Sequence, residues 1–407
     1  MPPVGDALFT AIPAAYSHIQ FVNQLTQTED FNTYTYRNFY NGAGVGLGDL
    51  NNDGLTDIYF CGNQVENKLY LNRGNFQFED VTEKAGVGCP GVWSTGVSFA
   101  DVNGDGWLDI YVTKSGPPGG ERRHNELFIN QKDGTFKEQA KAWGLAEEGL
   151  SVHAAFFDYD RDGDLDMYLL NNSMRSVGGY DLRPGQREIP DPAGGNKLFR
   201  NDGDHFTDVS AAAGIYTSHI GFGLGVTIGD VNRDGWLDMY VSNDFFERDY
   251  LYLNNQDGTF TECLEGHLRE ISMGSMGADM ADLNNDGLPE IFVTDMLPRD
   301  NRRQKTKTVF ENWDKYQLSL QNGYYRQFTR NVLQFNRGKN PHSDDPAVFF
   351  SEVGRLADVY ATDWSWGALI FDMDNDARKD IFVANGIFKD LTDQDYIQFY
   401  SDPNNVR

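Results

Sequence analysis

The sequence predicts an all-β fold, a β-propeller of four-stranded antiparallel blades. A nine-residue pattern, D-x-[ND]-x-D-[GA]-x-x-[DE], recurs six times, and the starts of successive copies are 52, 57, 72, 52 and 90 residues apart. Each copy lies between two short apolar runs, and a second pair of apolar runs follows it. Self-similarity at such spacings is typical of propellers and other repeat folds. The six copies start at Asp49, Asp101, Asp158, Asp230, Asp282 and Asp372.

The flanking runs predict two hairpins per repeat. Runs such as GVGLGD before the pattern and IYFCGN after it are strand-like, so the nine residues form the loop of a first hairpin. A second hairpin has a first arm such as NKLYLN and a second arm that begins with Phe, as at Phe78, Phe136, Phe206, Phe260 and Phe350. The N-terminal segment FTAIPAAYSHI, from Phe9, resembles that last arm. It is predicted to supply a strand to the sixth repeat, which lacks its third and fourth arms.

We predict one propeller domain over residues 1–407 with two insertions, at 173–195 and 296–330. The first insertion has the composition of an ordered loop, and the second has that of helices. The missing signal peptide and the abrupt final PNNVR suggest a fragment that is truncated at the C-terminus.

Composition limits the classes of partner and location. The chain has 61 acidic and 34 basic side chains, a net charge of −27, so nucleic acid is an unexpected partner. Three cysteines at unrelated spacings are neither a disulfide framework nor a zinc site. The sequence has no apolar run long enough to span a membrane and no visible signal peptide.

The six loops predict up to six Ca²⁺ sites. Positions 1, 3, 5 and 9 carry oxygen-bearing side chains, position 7 offers a backbone carbonyl, and position 6 is glycine in five loops, as a sharp turn requires. The predicted ligands are Asp49, Asn51, Asp53, Leu55 and Asp57; Asp101, Asn103, Asp105, Trp107 and Asp109; Asp158, Asp160, Asp162, Asp164 and Asp166; Asp230, Asn232, Asp234, Trp236 and Asp238; Asp282, Asn284, Asp286, Leu288 and Glu290; and Asp372, Asp374, Asp376, Arg378 and Asp380.

An EF-hand and a magnesium site fit the six loops less well than a calcium site does. An EF-hand requires Glu at position 12 and flanking helices, whereas position 12 is an apolar strand residue in all six copies. Mg²⁺ is less suited because it demands octahedral geometry and keeps its waters. A set of polar turns without metal stays an alternative. Loops five and six are weaker sites, because Glu290 is longer than Asp and Ala377 replaces glycine.

Calcium would have a structural role, since several carboxylates in one loop repel each other unless a cation is present. Extracellular sites of this kind bind with dissociation constants of about 0.1–1 mM. Such sites fill outside a cell and stay mostly empty in cytosol. We therefore expect an extracellular, periplasmic or cell-surface protein.

The repeats resemble FG-GAP, or VCBS, repeats of the kind found in the integrin α-subunit propeller. Longer stretches, including FNTYTYRNFYNGAGVGLGDLNNDG and YATDWSWGALIFDMDNDARKDIFVANGI, resemble bacterial VCBS-repeat proteins related to cartilage acidic protein. Together such stretches cover most of residues 8–395. The resemblance implies seven blades in a complete protein and an ASPIC/UnbV domain after the propeller. It also implies export or lipid anchoring, and it carries over no catalytic residues.

Blade topology separates the calcium loops from the other end of each blade, where loops can vary and bind a ligand. The predicted ligand-face residues are Trp93, His153, His219, Asn243, Asp244, Trp364 and Trp366. Aromatic, amide and carboxylate groups suit a carbohydrate or peptide ligand. The alternative is that the tryptophans pack between blades and the asparagines cap turns.

We therefore predict a non-catalytic, calcium-binding scaffold for protein or glycan interaction. The alternative is a polysaccharide lyase or hydrolase that uses the face opposite the calcium loops, with His153, His219, Asp244 and Glu247 as available groups. A third possibility is a structural role in which the propeller presents a further domain.

Overall fold

The computed structural model describes residues 8–33, 35–91, 93–116, 123–173, 175, 182–307, 312–339, 348–387, 390 and 392–401. The chain divides into two compact units. One comprises Met1–Met174 and Asp191–Thr217, and the other comprises Arg175–Pro190 and Ser218–Arg407.

In its described residues the first unit has three four-stranded antiparallel sheets, each with its strands in chain order. This meander is the predicted blade. The strands are β1 Val45–Gly48, β2 Asp57–Phe60, β3 Lys68–Asn72 and β4 Phe78–Asp80; β5 Ser94–Ala100, β6 Asp109–Lys114, β7 Glu126–Asn130 and β8 Phe136–Glu138; and β9 Ser151–Phe157, β10 Asp166–Asn171, β11 Lys197–Asn201 and β12 Phe206–Asp208. Short helices are α1 Ala14–Ser17 and α2 Thr82–Ala85, with a 3₁₀ turn at Arg37–Tyr40.

The second unit continues the same pattern, with two four-stranded blades and the two-stranded start of a third in its described residues. Its strands are β13 Gly223–Gly229, β14 Asp238–Asn243, β15 Tyr250–Asn254, β16 Phe260–Glu262, β17 Ile271–Ser272, β18 Gly277–Ala281, β19 Glu290–Thr294, β20 Gln327–Phe328, β21 Val332–Lys339, β22 Val348–Glu352, β23 Ser365–Phe371 and β24 Asp380–Asn385. Its helices are α3 Leu264–His267, α4 Asn301–Thr306, α5 Trp313–Gln321 and α6 Gln394–Ser401. β17 and β20 form a separate parallel pair. The predicted fold class, an all-β protein of four-stranded propeller blades, is confirmed.

The two insertions and the N-terminal arm have different outcomes. The second insertion is helical as predicted, because α4 and α5 lie within it and begin at the side-chain caps Asp300 and Asn312. Residues 182–190 of the first insertion form turns, whereas 174 and 176–181 lie outside the described residues. The prediction of a strand from Phe9 is wrong, since residues 8–13 form none. The helical turn α1 is the part of the fourth-arm pattern that this segment does reproduce.

Glycines in the first strands allow neighbouring blades of a unit to approach closely. β1 lies beside β5 and β5 beside β9, while β13 lies beside β18 and β18 beside β23. A Cβ added to Gly96 would lie 2.5 Å from the Val152 carbonyl oxygen, and one on Gly277 would lie 2.4 Å from that of Trp366. Glycine is therefore required where one backbone passes another.

Within each unit, the core lies between successive blades. The second strands β6, β10, β14 and β19 are buried at every position, because each is covered on both faces. Each four-stranded blade contributes one large aromatic residue of its second strand that is at most 1% exposed, namely Tyr59, Tyr111, Tyr168, Tyr240 and Phe292. The apolar runs after the acidic loops are thus core strands.

Asp249 occupies a position that is asparagine in the other four-stranded blades: Asn67, Asn125, Asn196 and Asn331. The side-chain oxygen at this position accepts a backbone N–H at the end of the second strand, such as Asn243 N at 2.8 Å from Asp249 Oδ1. Asp249 Oδ2 also accepts the Tyr240 hydroxyl at 2.6 Å and the Ser275 hydroxyl at 2.8 Å. Burial raises the pKa of the Asp249 carboxyl to about 7.

We expect Asp249→Asn to remove a pH dependence of stability. The pKa of this carboxyl is about 3.9 in the unfolded chain and about 7 in the folded one. The protonated carboxyl therefore stabilises the fold fully below about pH 4, and this contribution is lost as pH rises to about 7. Relative to Asp249→Asn, the parent should lose up to about 1.4 kcal/mol per pH unit in that window. Urea denaturation at several pH values measures this, and Asn67→Asp should introduce the same slope. Parallel curves for parent and variant would contradict it.

Candidate functional site

The six acidic loops are built alike. Each connects the first and second strands of a blade, and its ninth residue pairs with the residue before its first, as Asp109 pairs with Ala100 and Asp166 pairs with Phe157. The same register holds in the other four loops. The predicted hairpins are confirmed, and all six loops present their side chains at equivalent places in their blades.

The backbone at positions 4 and 6 of every loop is in the left-handed region. Position 6 has φ between 83° and 99° where it is glycine, whereas Ala377 has φ 68°. Position 4 is also left-handed in every loop, even where it is Arg161 (φ 62°) or Arg233 (φ 58°). Alanine in this region costs about 1 kcal/mol relative to glycine, so loop six is the strained member of the set.

The side-chain oxygens of each loop accept hydrogen bonds from the backbone of the same loop. In loop one, Asp49 Oδ1 accepts Asp53 N–H at 3.1 Å and Asp49 Oδ2 accepts Gly54 N–H at 2.7 Å. Asn51 Oδ1 also accepts Asp53 N–H, and Asp53 Oδ1 accepts Leu55 N–H. The same four bonds recur in loops two, four, five and six. Side-chain oxygens of positions 1, 3 and 5 are thereby held on one side of each loop.

The position 9 carboxylate also bonds the backbone of the third strand of its blade. In loop two, Asp109 Oδ2 accepts Val102 N–H at 3.1 Å and Asp109 Oδ1 accepts Asn130 N–H at 2.8 Å. Asp57, Asp166 and Asp238 make the equivalent pair of bonds. This carboxylate therefore joins the loop to the third strand of its own blade, and it is buried.

The third-strand asparagines extend this connection to the preceding blade. Asn130 Nδ2 donates to the Leu50 carbonyl, and Asn201 Nδ2 donates to the Val102 carbonyl, each at 2.9 Å. Asn336 Nδ2 donates to the Val231 carbonyl at 2.9 Å in the second unit. Each acceptor is position 2 of an acidic loop, so loop geometry is coupled to blade packing.

Burial raises the pKa of the position 9 carboxyls, and the neighbouring loop carboxylates raise it further. The pKa reaches about 6 for Asp109 and about 7 for Asp166 and Asp238. The pKa of Glu290 is raised for the same reasons. A cation beside each carboxyl would offset this cost.

Loop three offers the clearest fit to a cation. Oxygens of Asp158, Asp160 and Asp166 lie within 4.8 Å of one another, as do those of Asp372, Asp374 and Asp376 in loop six. Asp158 Oδ1 is buried and has no hydrogen-bond partner among the described residues, in contrast to the first aspartate of the other loops. An unpartnered buried carboxylate oxygen beside two other carboxylates matches the ligand set of a hard divalent cation.

At the other end of the blades, several predicted ligand-face residues are enclosed. Trp93 is 2% exposed and packs edge-on against Phe31 and Tyr36. Asn243 is buried, and its side chain bonds Phe222 N–H and the Arg248 carbonyl. For these two residues the alternative of packing and turn capping describes what the structure shows.

The histidines and Asp244 are partly or fully held by neighbours. His219 is buried, with Nε2 2.7 Å from Arg175 Nη1. His153 is half-buried on β9, and burial lowers its pKa. Asp244 is half-buried, and its Oδ1 accepts Phe245 N–H at 2.6 Å.

Trp364 and Trp366 form a half-buried stacked pair in the second unit. Their ring centroids are 5.9 Å apart with an interplanar angle of 28°. Trp366 Nε1 donates to the Gly386 carbonyl at 2.7 Å, and Trp364 Nε1 lies 3.4 Å from Asp390 Oδ1. Arg303 pairs with both Asp363 and Asp390, which fixes the surrounding loops. This pair is the part of the predicted face that retains open aromatic surface.

In the described residues, no helix is long and apolar enough to span a membrane.

The fold and the loops define a propeller-blade repeat protein with an acidic turn in each first hairpin. The family model of the FG-GAP-like repeat matches residues 49–112, 118–169, 189–241 and 230–293, more than half of the sequence. The chain therefore belongs to the FG-GAP-like repeat family.

Curated relatives include cartilage acidic protein 1 of mouse, 29% identical over 50% of this chain, and of human, 28% identical over a similar share. The match spans less than a third of the length of these relatives, 29% for mouse and 28% for human. A solved structure of an Agrocybe aegerita lectin that recognises non-reducing terminal N-acetylglucosamine is 17% identical. It covers 84% of this chain and 70% of the lectin chain, with a TM-score of 0.38. A likeness at this level says nothing about function.

Proposed function

We propose that this chain is a calcium-stabilised, non-catalytic scaffold that binds a protein or glycan outside the cytosol. The observation that carries the proposal is an acidic loop of the same hairpin register in six blades, with a buried, unpartnered Asp158 oxygen in loop three. A polar turn without metal does not require that oxygen to be buried.

Calcium suits these loops better than other metals do. Their side-chain donors are oxygens of Asp, Asn and Glu, and the backbone carbonyl of position 7 adds another oxygen. Six to eight oxygen ligands in flexible geometry are typical of Ca²⁺, and the loops contain no His or Cys for a softer metal. Loop three has the most carboxylates and should bind most tightly.

A location outside the cytosol follows from affinity. Surface loops that ligate calcium with a few carboxylates have dissociation constants of about 0.1–1 mM in extracellular modules. Bound calcium would also make the net charge of −27 less negative, and the weaker self-repulsion favours the compact state. A protein that depends on these sites is stable where calcium is abundant.

The ligand surface that we propose contains Trp364 and Trp366. Stacked indoles with partly open faces suit the apolar face of a sugar ring or an aromatic side chain. Two of the three groups of the enzymatic alternative within the second unit are enclosed: Arg187 Nε and Nη2 contact the two oxygens of Glu247, and His219 is buried. We therefore propose binding without catalysis.

A thermal melt in 2 mM calcium and in excess EGTA, at fixed ionic strength, tests the metal scaffold. At 2 mM calcium and dissociation constants of about 0.1–1 mM, each site should add about 0.7–1.8 kcal/mol, so the loss of several sites together should give a large drop in EGTA. Calcium should restore the melting temperature, and magnesium should restore it poorly. Equal melting temperatures in calcium and EGTA would overturn the proposal.

A further inference from the structure

A cavity of about 570 Å³ lies in the second unit at the end of its second blade, away from the acidic loops. Its walls come from the segment after β19, the segment before β21 and the turn after β22. Leu297, Phe328, Arg330, Arg355 and Tyr360 are among the lining residues. This volume is within the range of small-molecule sites, about 300–1,000 Å³.

Two arginine–aromatic pairs line this cavity. The Arg330 guanidinium carbon lies 5.9 Å from the Phe328 ring centroid, and that of Arg355 lies 5.9 Å from the Tyr360 centroid. Tyr316 of α5 also packs against Phe328, with ring centroids 5.5 Å apart. The cavity thus combines cationic groups with aromatic surface.

The two arginines differ in how they are paired. Arg330 is 4% exposed and forms ion pairs with Glu270 and Glu352, so its charge is neutralised. Arg355 is exposed, and within the described residues it has no carboxylate partner. A guanidinium that is held over a ring and lacks a carboxylate is prepared for a bidentate carboxylate from a ligand.

The remaining lining groups favour a sugar as the carrier of that carboxylate. Gln304 and Thr329 add an amide and a hydroxyl to the cavity lining. The Gln304 Nε2 donates to the Pro298 carbonyl at 2.6 Å, so its carbonyl oxygen is the group that suits a ring hydroxyl. Tyr360, half-buried at the cavity wall, offers aromatic surface for the C–H face of a pyranose. Asp363, which precedes Trp364 in the chain, donates its N–H to the carbonyl of the lining residue Leu297 at 2.9 Å, so the Trp364–Trp366 pair lies near the cavity.

We infer that this cavity binds an acidic saccharide, with Arg355 contacting a uronate carboxylate. This inference deepens the proposed glycan-binding function and rests on it. Arg355 is a specificity-determining residue that separates uronate-containing from neutral saccharides. It selects an anion locally in a chain that is otherwise strongly acidic.

Isothermal titration with trigalacturonate and with neutral galactotriose, in 2 mM calcium at fixed ionic strength, tests the inference. We expect the parent chain to bind trigalacturonate more tightly than galactotriose. Arg355→Gln should weaken trigalacturonate binding by about tenfold or more, because a charge-assisted bidentate contact is lost. Galactotriose binding should not change.

Arg337→Gln is the matched control. Arg337 is also exposed and lies over an aromatic ring, 4.4 Å from the Phe335 centroid, but it does not line the cavity. It should leave trigalacturonate binding unchanged. Equal weakening by both variants would mean general charge attraction and would overturn the inference.

The failure of this inference can be told from failure of the scaffold. If galactotriose binds and trigalacturonate does not bind more tightly, the acidic-saccharide inference is overturned while glycan binding stands. If triglutamate peptide binds through Arg355 and trigalacturonate does not, the saccharide assignment is overturned. If neither saccharide binds but EGTA still lowers the melting temperature, the saccharide site is overturned and the calcium scaffold is supported.

Discussion

Asp160→Ala combined with Asp162→Ala should lower thermal stability in calcium and change it little in EGTA. Loop three gathers Asp158, Asp160 and Asp166 within 4.8 Å, so its loss removes the binding energy of one site. That energy is about 1.8 kcal/mol at 2 mM calcium for a dissociation constant of about 0.1 mM. Without calcium, the two substitutions remove like charges and should be neutral or slightly stabilising, because Asp162 raises the pKa of Asp160 by repulsion in addition to burial.

The control for this pair is Asp133→Ala combined with Asp257→Ala. Both residues lie in exposed turns and accept the N–H of a threonine two residues later, much as Asp162 accepts Asp164 N–H. The control removes the same number of charges and the same kind of turn bond, together with one bond from each threonine hydroxyl. It should cost the same in calcium and in EGTA. A loop-three variant that behaves like this control would show that its carboxylates do not bind calcium.

The blade architecture could be predicted because each local signal is repeated. The repeat spacing, the loop residues and the flanking apolar runs agree in six copies, so an ambiguous assignment in one copy is settled by the other five. The buried second strands follow from runs such as IYVTK, which leave no polar face. The N-terminal arm failed because its resemblance to a fourth strand rests on a few residues. Strand formation requires a partner strand, which sequence similarity does not provide.

The loops could be predicted more fully than the opposite end of the blades. Ligand spacing is local, so six loops with oxygen at positions 1, 3, 5 and 9 are visible in the sequence. The second role of position 9, which joins the loop to the third strand, does not follow from local spacing, because its partner lies 21 residues away, as Asn130 does from Asp109. The asparagine that recurs at the end of the third arm is the sequence feature that could have indicated it.

The ligand face depends on tertiary packing that composition does not encode. Trp93 directly precedes the first strand β5, and Trp366 is the second residue of the first strand β23. Trp93 is nevertheless buried among aromatic residues, whereas Trp366 is only half-buried. Arg355 gave no sequence signal, since its place in the cavity depends on three segments meeting after folding. Polar residues that converge from distant segments need the structure.

The buried position 9 carboxylates should stabilise the fold even without calcium, and Asp109→Ala tests this. Asp109 is 1% exposed, and both of its oxygens accept backbone N–H groups. Alanine leaves the N–H groups of Val102 and Asn130 buried and unpaired. Each unpaired group costs about 1–3 kcal/mol, so the loss should be among the largest of any single substitution in the loops.

The measurement is urea unfolding of Asp109→Ala and Asp105→Ala in calcium and in EGTA. Asp105 lies in the same loop, but its Oδ1 accepts the N–H of Trp107, which is half-buried within the loop itself. We expect Asp105→Ala to lose stability chiefly in calcium, and Asp109→Ala to lose it in both conditions. Asp109→Asn keeps an acceptor for one N–H and should be intermediate. If Asp109→Ala matched the parent in EGTA, the carboxylate would not join the loop to the third strand, and its burial would serve metal binding alone.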